Sequence, residues 1–282
     1  MYQADLGRWF NIAPMSELYF AHSNYVYALN TPTNAVDPDG RLVIFINGQH
    51  TGDGSKGYLN AKSGENWKGS SDYWRTGKNS GFDIDVMYHL NDHNAIYRDG
   101  SVGGFANTSL YGNLPIFKSN LRRKTRIDAG YKRGMIDAEQ IIASVSDSDG
   151  NIVESIKIIS HSMGGAYAKG YAKAILEYAK KHNIKGLIIA FSADFAPFQS
   201  GDLTAVTGQN MGPTLQFSHS DDDVAGNKPI DGAEQMDTSD DENQGHSIFD
   251  FMDQVKKLPT GNYKVVNGKI VPINDKKKEY EN

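Results

Sequence analysis

Residues 155 to 168 read Ser155-Ile156-Lys157-Ile158-Ile159-Ser160-His161-Ser162-Met163-Gly164-Gly165-Ala166-Tyr167-Ala168. An isoleucine-rich, β-prone run passes through a five-residue turn into small residues suited to a closely packed helix. Such a turn holds its central serine in a strained backbone conformation with the hydroxyl exposed. It requires small residues two places to either side, so that strand and helix can approach. Ser160 and Gly164 occupy those places. The usual residue at the first of them is Gly, and Ser160 departs from that pattern while remaining small. Ser162 is therefore the candidate nucleophile.

Working outward, short apolar runs alternate with longer helical stretches from Leu42 onward. This is the rhythm of βαβ units, and it predicts an α/β domain with a mostly parallel central sheet flanked by helices. Strands are expected over Leu42 to Ile46, Ile84 to Tyr88, Ser155 to Ser160, Gly186 to Phe191 and Thr214 to Ser218. Gly165 to Lys181 and Ala138 to Val145 carry helical spacing. Asn267-Gly268, between two β-prone pairs, signals a type I′ hairpin. The chain from Asn274 to Asn282 is a charged tail. The first forty residues differ from all of this: they are aromatic, rich in Asn, Pro and Asp, and without a helical or strand period, so they read as turns. The expected organisation is a terminal segment over 1–41, the α/β domain over 42–273 and a tail over 274–282.

Composition excludes several functions. The 282 residues carry a formal net charge of -5, which gives no basic field for nucleic acid. The chain has no cysteine, which removes disulfides, thiolate catalysis and Cys-ligated zinc together. No apolar stretch approaches the roughly 18 residues of a membrane span, and the N-terminus has no signal-peptide pattern. Export, if it occurs, needs a dedicated secretion system acting on a chain that is cytoplasmic beforehand.

A serine hydroxyl becomes a useful nucleophile when an imidazole takes its proton and a carboxylate orients that imidazole. In this architecture the chain order is serine, acid, histidine. The histidines after Ser162 are His182, His219 and His246. His182 ends the helix that follows the turn, where a cationic residue has an ordinary role. His246 follows every plausible acid and is the candidate base. The acid is expected in the loop after the fifth strand, among Asp221, Asp222 and Asp223, with Asp194 as the alternative. The amide of Met163, the residue after the nucleophile, is one expected donor to a developing oxyanion.

Two resemblances add to these readings. His161-Ser162-Met163-Gly164-Gly165-Ala166 and His219-Ser220-Asp221-Asp222-Asp223-Val224 resemble the H-S-x-G-G-A and H-x-x-D-x-V segments of lipases of the α/β-hydrolase fold, especially class 3 lipases. That resemblance assigns the acid to Asp222. It also aligns Ile46-Asn47-Gly48-Gln49 with the family's strand-His-Gly-x turn, with Asn47 replacing the usual His, and makes Gln49 the second oxyanion donor, beside His50. Separately, Tyr2, Gly7-Arg8-Trp9, Asn24-Tyr25-Val26-Tyr27, Asn30-Thr31-Pro32, Asn34 and Asp37-Pro38-Asp39-Gly40 resemble the closing segment of the RHS repeat-associated core. Ala13 stands where that family has Asp before Pro14, and Arg41 stands where self-cleaving members carry Leu. The large shell of repeats that precedes this segment in full-length members is absent, so the chain reads as an orphan tip or a fragment.

The resemblances imply a serine hydrolase of the esterase or lipase kind, acting on lipid or small esters as the effector of an RHS-type polymorphic toxin. A toxin of that kind implies delivery into a neighbouring cell, phospholipid as a natural target and a cognate immunity protein as partner. Thioesterase, peptidase or amidase activity on the same scaffold, and a catalytically silent binding module, remain alternatives.

Weaker signals point elsewhere. His89 and His93 have the spacing of two zinc ligands, but no Glu follows the first, so neither metal nor cofactor is expected. Residues 101 to 126 join an apolar run to Lys118, Arg122, Arg123, Lys124 and Arg126. They read either as a lid opening on an anionic membrane surface or as a helix with a solvated basic face. Asp231 to Glu242 reads as an exposed acidic loop before the base.

Overall fold

Leu42–Asn47 is buried along its whole length, as an apolar run flanked by strands on both sides must be. It forms β1 of a six-stranded sheet in a computed structural model that describes residues 2–3, 8–9, 42–48, 71–77, 80–101, 120–147, 149–239, 244–266 and 269–273. The chain divides into two units, 1–40 and 41–282. In the first, Tyr2–Gln3 pairs antiparallel with Arg8–Trp9. The remaining anchors of the RHS-like segment lie outside the described residues.

The second unit follows α1 (Phe82–Leu90), β2 (Asn94–Asp99), α2 (Asn120–Ser144), β3 (Ile156–His161), α3 (Gly164–Lys181), β4 (Ile189–Phe195), β5 (Thr214–Phe217) and β6 (Glu234–Met236). A 3₁₀ helix spans Ile248–Lys257, and an antiparallel hairpin joins β7 (Asn262–Val266) to β8 (Lys269–Ile273). The expected turn residues of that hairpin, Asn267 and Gly268, lie outside the described residues. The sheet order is β6-β5-β4-β3-β1-β2. All five pairings are parallel. The fold is α/β, with a parallel central sheet flanked by helices, as the rhythm of the sequence predicts.

Alternation along β1 separates two cores. Val43 and Phe45 join Trp74, Phe82, Val86, Phe195, Phe217 and Phe251 on one face. Leu42, Ile44 and Ile46 join Ile141, Tyr171 and Ile175 of α2 and α3 on the other. Helices thus cover both faces, which a parallel sheet requires. The two long helices cross very closely. A Cβ at Gly130 would run into the Tyr167 carbonyl oxygen, and one at Gly170 into that of Ile127.

Two strand expectations are corrected. Ile84 to Tyr88 lies in α1 rather than in a strand. Its alternation with Asp83 and Asp85 imitates period two, but the buried positions Phe82, Val86 and Leu90 fall at helical spacing. The two acids sit in the first turn, where the helix dipole favours them. The strand instead follows, at Asn94–Asp99. Its polar residues hid it, because the buried Arg98 is neutralised by Asp137 of another element, at 2.6 Å. The fourth strand is displaced toward its C-terminus, beginning at Ile189 and running through Ser192 and Asp194 to Phe195.

The basic cluster does not form one solvated face. Lys124 is exposed and pairs with Asp128. Arg126 is fully buried, bonded to Gln199 and lying 5.7 Å over the Phe198 ring. The apolar half of the lid expectation, residues 102–119, lies outside the described residues. Among the described residues no helix is long and apolar enough to cross a membrane.

Candidate active site

The β3–α3 turn places Ser162 at φ 54, a left-handed conformation uncommon for a residue bearing a Cβ. The strain is held by main-chain bonds. Ser162 N–H donates to the Phe195 carbonyl at 3.0 Å, and the Ser162 carbonyl accepts from Gly165 and Phe198. The closeness expected around the serine is present: a Cβ on Gly164 would strike the Ile46 carbonyl, and one on Gly48 would come within 2.5 Å of the Ser162 Cβ. Ser160 shows why a serine can replace the usual glycine, since its hydroxyl donates to Asp194 Oδ1 at 2.5 Å in the buried floor of the turn.

Around this serine the structure assembles residues distant in sequence. His246 Nε2 lies 2.9 Å from Ser162 Oγ, and His246 Nδ1 lies 2.7 Å from Asp222 Oδ2. The other oxygen of Asp222 accepts main-chain N–H groups from Val224 at 2.8 Å and Ala225 at 2.9 Å, so the carboxylate is held from both sides. Burial pushes its pKa upward, but the Ala225 amide, the His246 ring and the Val224 amide outweigh burial and leave it below the usual carboxylate range. Asp222 is buried, whereas Asp221 and Asp223 are exposed. His246 precedes the 3₁₀ helix Ile248–Lys257, whose start is fixed by a reciprocal capping box between Ser247 and Asp250.

The other candidates are placed apart from that line. Asp194 is fully buried and bonded to Ser160 and Lys169. His219 stacks on Phe251, with centroids 4.0 Å apart and planes 4° from parallel, and bonds the Gly245 carbonyl. It thereby braces the segment that carries His246. His182 caps the C-terminus of α3 and stacks on Tyr178. His89 bonds the Leu258 carbonyl. Among the described residues no group of three His, Asp or Glu could hold a metal ion.

Met163, directly after the serine, is the N-cap of α3. Gln49 and His50 lie outside the described residues. The turn leading to them is anchored, because Asn47 Nδ2 donates to the Gly48 carbonyl at 2.8 Å and to Asp99 at 3.1 Å. The Asn47 amide thus ties β1 to β2.

Two neighbours of His246 are not among the expected site residues. His161 Nε2 lies 2.8 Å from the His246 carbonyl, and its Nδ1 is bonded by the Tyr73 hydroxyl. His161 is legible as a motif position, but nothing in the stretch around Tyr73 marks it as a site residue.

The chain matches no protein-family profile, and no curated protein matches it. Among solved structures, one from Xanthomonas campestris pv. campestris, described as "a putative hydrolase of the alpha/beta superfamily", is similar at 10% sequence identity with a TM-score of 0.35. The likeness spans 78% of this chain and 94% of that one. The α/β assignment rests on the strand order itself.

Proposed function

We propose that the unit beginning at Arg41 is a serine hydrolase of carboxylic esters. The observation that carries this reading is the unbroken line from Ser162 Oγ through His246 to Asp222, at 2.9 and 2.7 Å, at the C-terminal end of a parallel sheet. In the proposed reaction Ser162 attacks the ester carbonyl while His246 takes its proton. Asp222 holds Nδ1–H and stabilises the imidazolium. His246 then protonates the departing alkoxide, leaving an acyl-serine. Water, deprotonated by the same imidazole, attacks the acyl carbon and releases the acid and free Ser162. The amides of Met163 and Gln49 are the proposed donors to the oxyanion.

A lipase-like preference, with membrane phospholipid as the natural target, follows from the likeness of the two active-site segments to class 3 lipases. Delivery as an RHS-type toxin effector, with an immunity protein as partner, follows from the likeness of residues 1–40 and is proposed on that ground alone. Thioester or amide hydrolysis uses the same groups and is separated by substrate profiling.

The test is hydrolysis of p-nitrophenyl esters and phospholipid vesicles. Ser162→Ala and His246→Ala are each expected to lose turnover on the order of 10⁶-fold. Faster hydrolysis of vesicles than of soluble esters is the lipase outcome. No hydrolysis by the unaltered protein, or equal hydrolysis by Ser162→Ala, would instead favour a binding module.

A further inference from the structure

His246 is the group that must move a proton between two partners without itself moving, yet its side chain is held only at its ends, by Asp222 and Ser162. Its main chain is held by something else. The His246 carbonyl accepts from His161 Nε2 at 2.8 Å, and Nδ1 of the same ring is bonded by the Tyr73 hydroxyl. The Gly48 main chain hydrogen-bonds that hydroxyl in turn. The Tyr73 oxygen would lie 3.0 Å from a Cβ at Gly48, and Ser162 Cβ would lie 2.5 Å from it. One continuous chain therefore runs from the turn after β1, through Tyr73 and His161, to the backbone of the base.

The chemistry of the chain fixes its polarity. Tyr73 donates to Nδ1, so Nε2 carries the hydrogen and donates to the carbonyl. His161 is almost fully enclosed, and burial, followed by the nearby His246, lowers its pKa to about 3. Burial likewise keeps Tyr73 protonated by raising its pKa. The groups facing His161 are Tyr73, His246 and, at longer range, Asp222. A neutral His161, with its ring centroid 5.1 Å from that of His246, adds no charge against the imidazolium that forms there.

We propose that Tyr73 and His161 are positioning residues for the hydrolytic reaction. They clamp the main chain of His246 to Gly48 at the end of β1, so that the proposed base keeps one fixed place relative to that turn. This rests on the serine hydrolase reading. It assigns Tyr73 and His161 a role that neither the nucleophile nor the triad requires.

The experiment measures kcat and KM on a p-nitrophenyl ester for the full chain and for Tyr73→Phe, His161→Leu and His161→Gln, with thermal melting of each and Ser162→Ala alongside. Tyr73→Phe removes one oxygen and keeps the ring. It is expected to lower kcat by about 10- to 10²-fold with KM within about twofold, as misplacement of a reacting group does. His161→Gln can donate to the His246 carbonyl through its amide and is expected to recover most of the kcat that His161→Leu loses. Unchanged kcat in Tyr73→Phe, or equal kcat in His161→Gln and His161→Leu, overturns the clamp. Turnover that survives Ser162→Ala overturns the hydrolase reading itself.

Discussion

At the scale of single residues, two carboxylates near the proposed nucleophile have different tasks, and substitution separates them. Asp222 faces His246 and two main-chain amides. Asp222→Asn keeps the size of the side chain but presents an amide to Nδ1, favouring the wrong tautomer. The expected result is a fall in kcat of about 10⁴-fold with little change in melting temperature. Asp194 is bonded to Ser160 and to Lys169, whose side chain is 6% exposed. Asp194→Ala leaves a buried ammonium without its partner and is expected to cost about 3–5 kcal/mol of stability, read by denaturant unfolding. Ser162, His246 and the acidic loop are legible in the sequence because the chemistry dictates their order along the chain. The choice of Asp222 came from likeness to a family, and the structure adds its burial between two exposed neighbours. Tyr73 was not legible. It reaches His161 from 88 residues away, and a single tyrosine outside any periodic pattern carries no signal of where it will fold.

At the scale of elements, the helices α2 and α3 share an apolar core but make their closest crossing through glycines. Gly130→Ala and Gly170→Ala each place a methyl group against a carbonyl oxygen of the opposing helix. Each is expected to lower stability by about 1–3 kcal/mol, whereas Gly208→Ala, which meets nothing within 4 Å, should stay within about 1 kcal/mol of the parent. Denaturant midpoints of the three variants decide it, and equal midpoints would refute the close crossing. The strands carrying long isoleucine and valine runs, β1 and β3, were readable because burial on both faces demands such runs. Those that were missed or displaced, β2 and β4, bury polar groups whose partners are remote: Arg98 with Asp137 of α2, and Asp194 with Lys169 of α3. Local pattern cannot anticipate a charge neutralised by another element. The misread α1 failed for the opposite reason, since its short alternation satisfied two periods at once.

At the scale of the whole molecule, the neutral His161 links stability to acidity. The unfolded chain takes up a proton there near the ordinary value of 6.5, while the folded protein does so only near 3. Between those values the unfolded state binds more protons, so this contribution is complete above about pH 6.5 and is lost as pH falls toward 3. The expected observation is a melting temperature that declines on acidification, with a shallower decline in His161→Gln. Parallel slopes for the two proteins would rule out this linkage. The parallel sheet has a further consequence, for timing. No two neighbouring strands can pair through a tight turn, and the proposed nucleophile and base stand 84 positions apart. Long-range pairing of this kind folds slowly. An unfolded chain therefore does not hold the proposed nucleophile beside its proposed base: on that reading the protein is its own zymogen, activated by finishing its fold rather than by a cut.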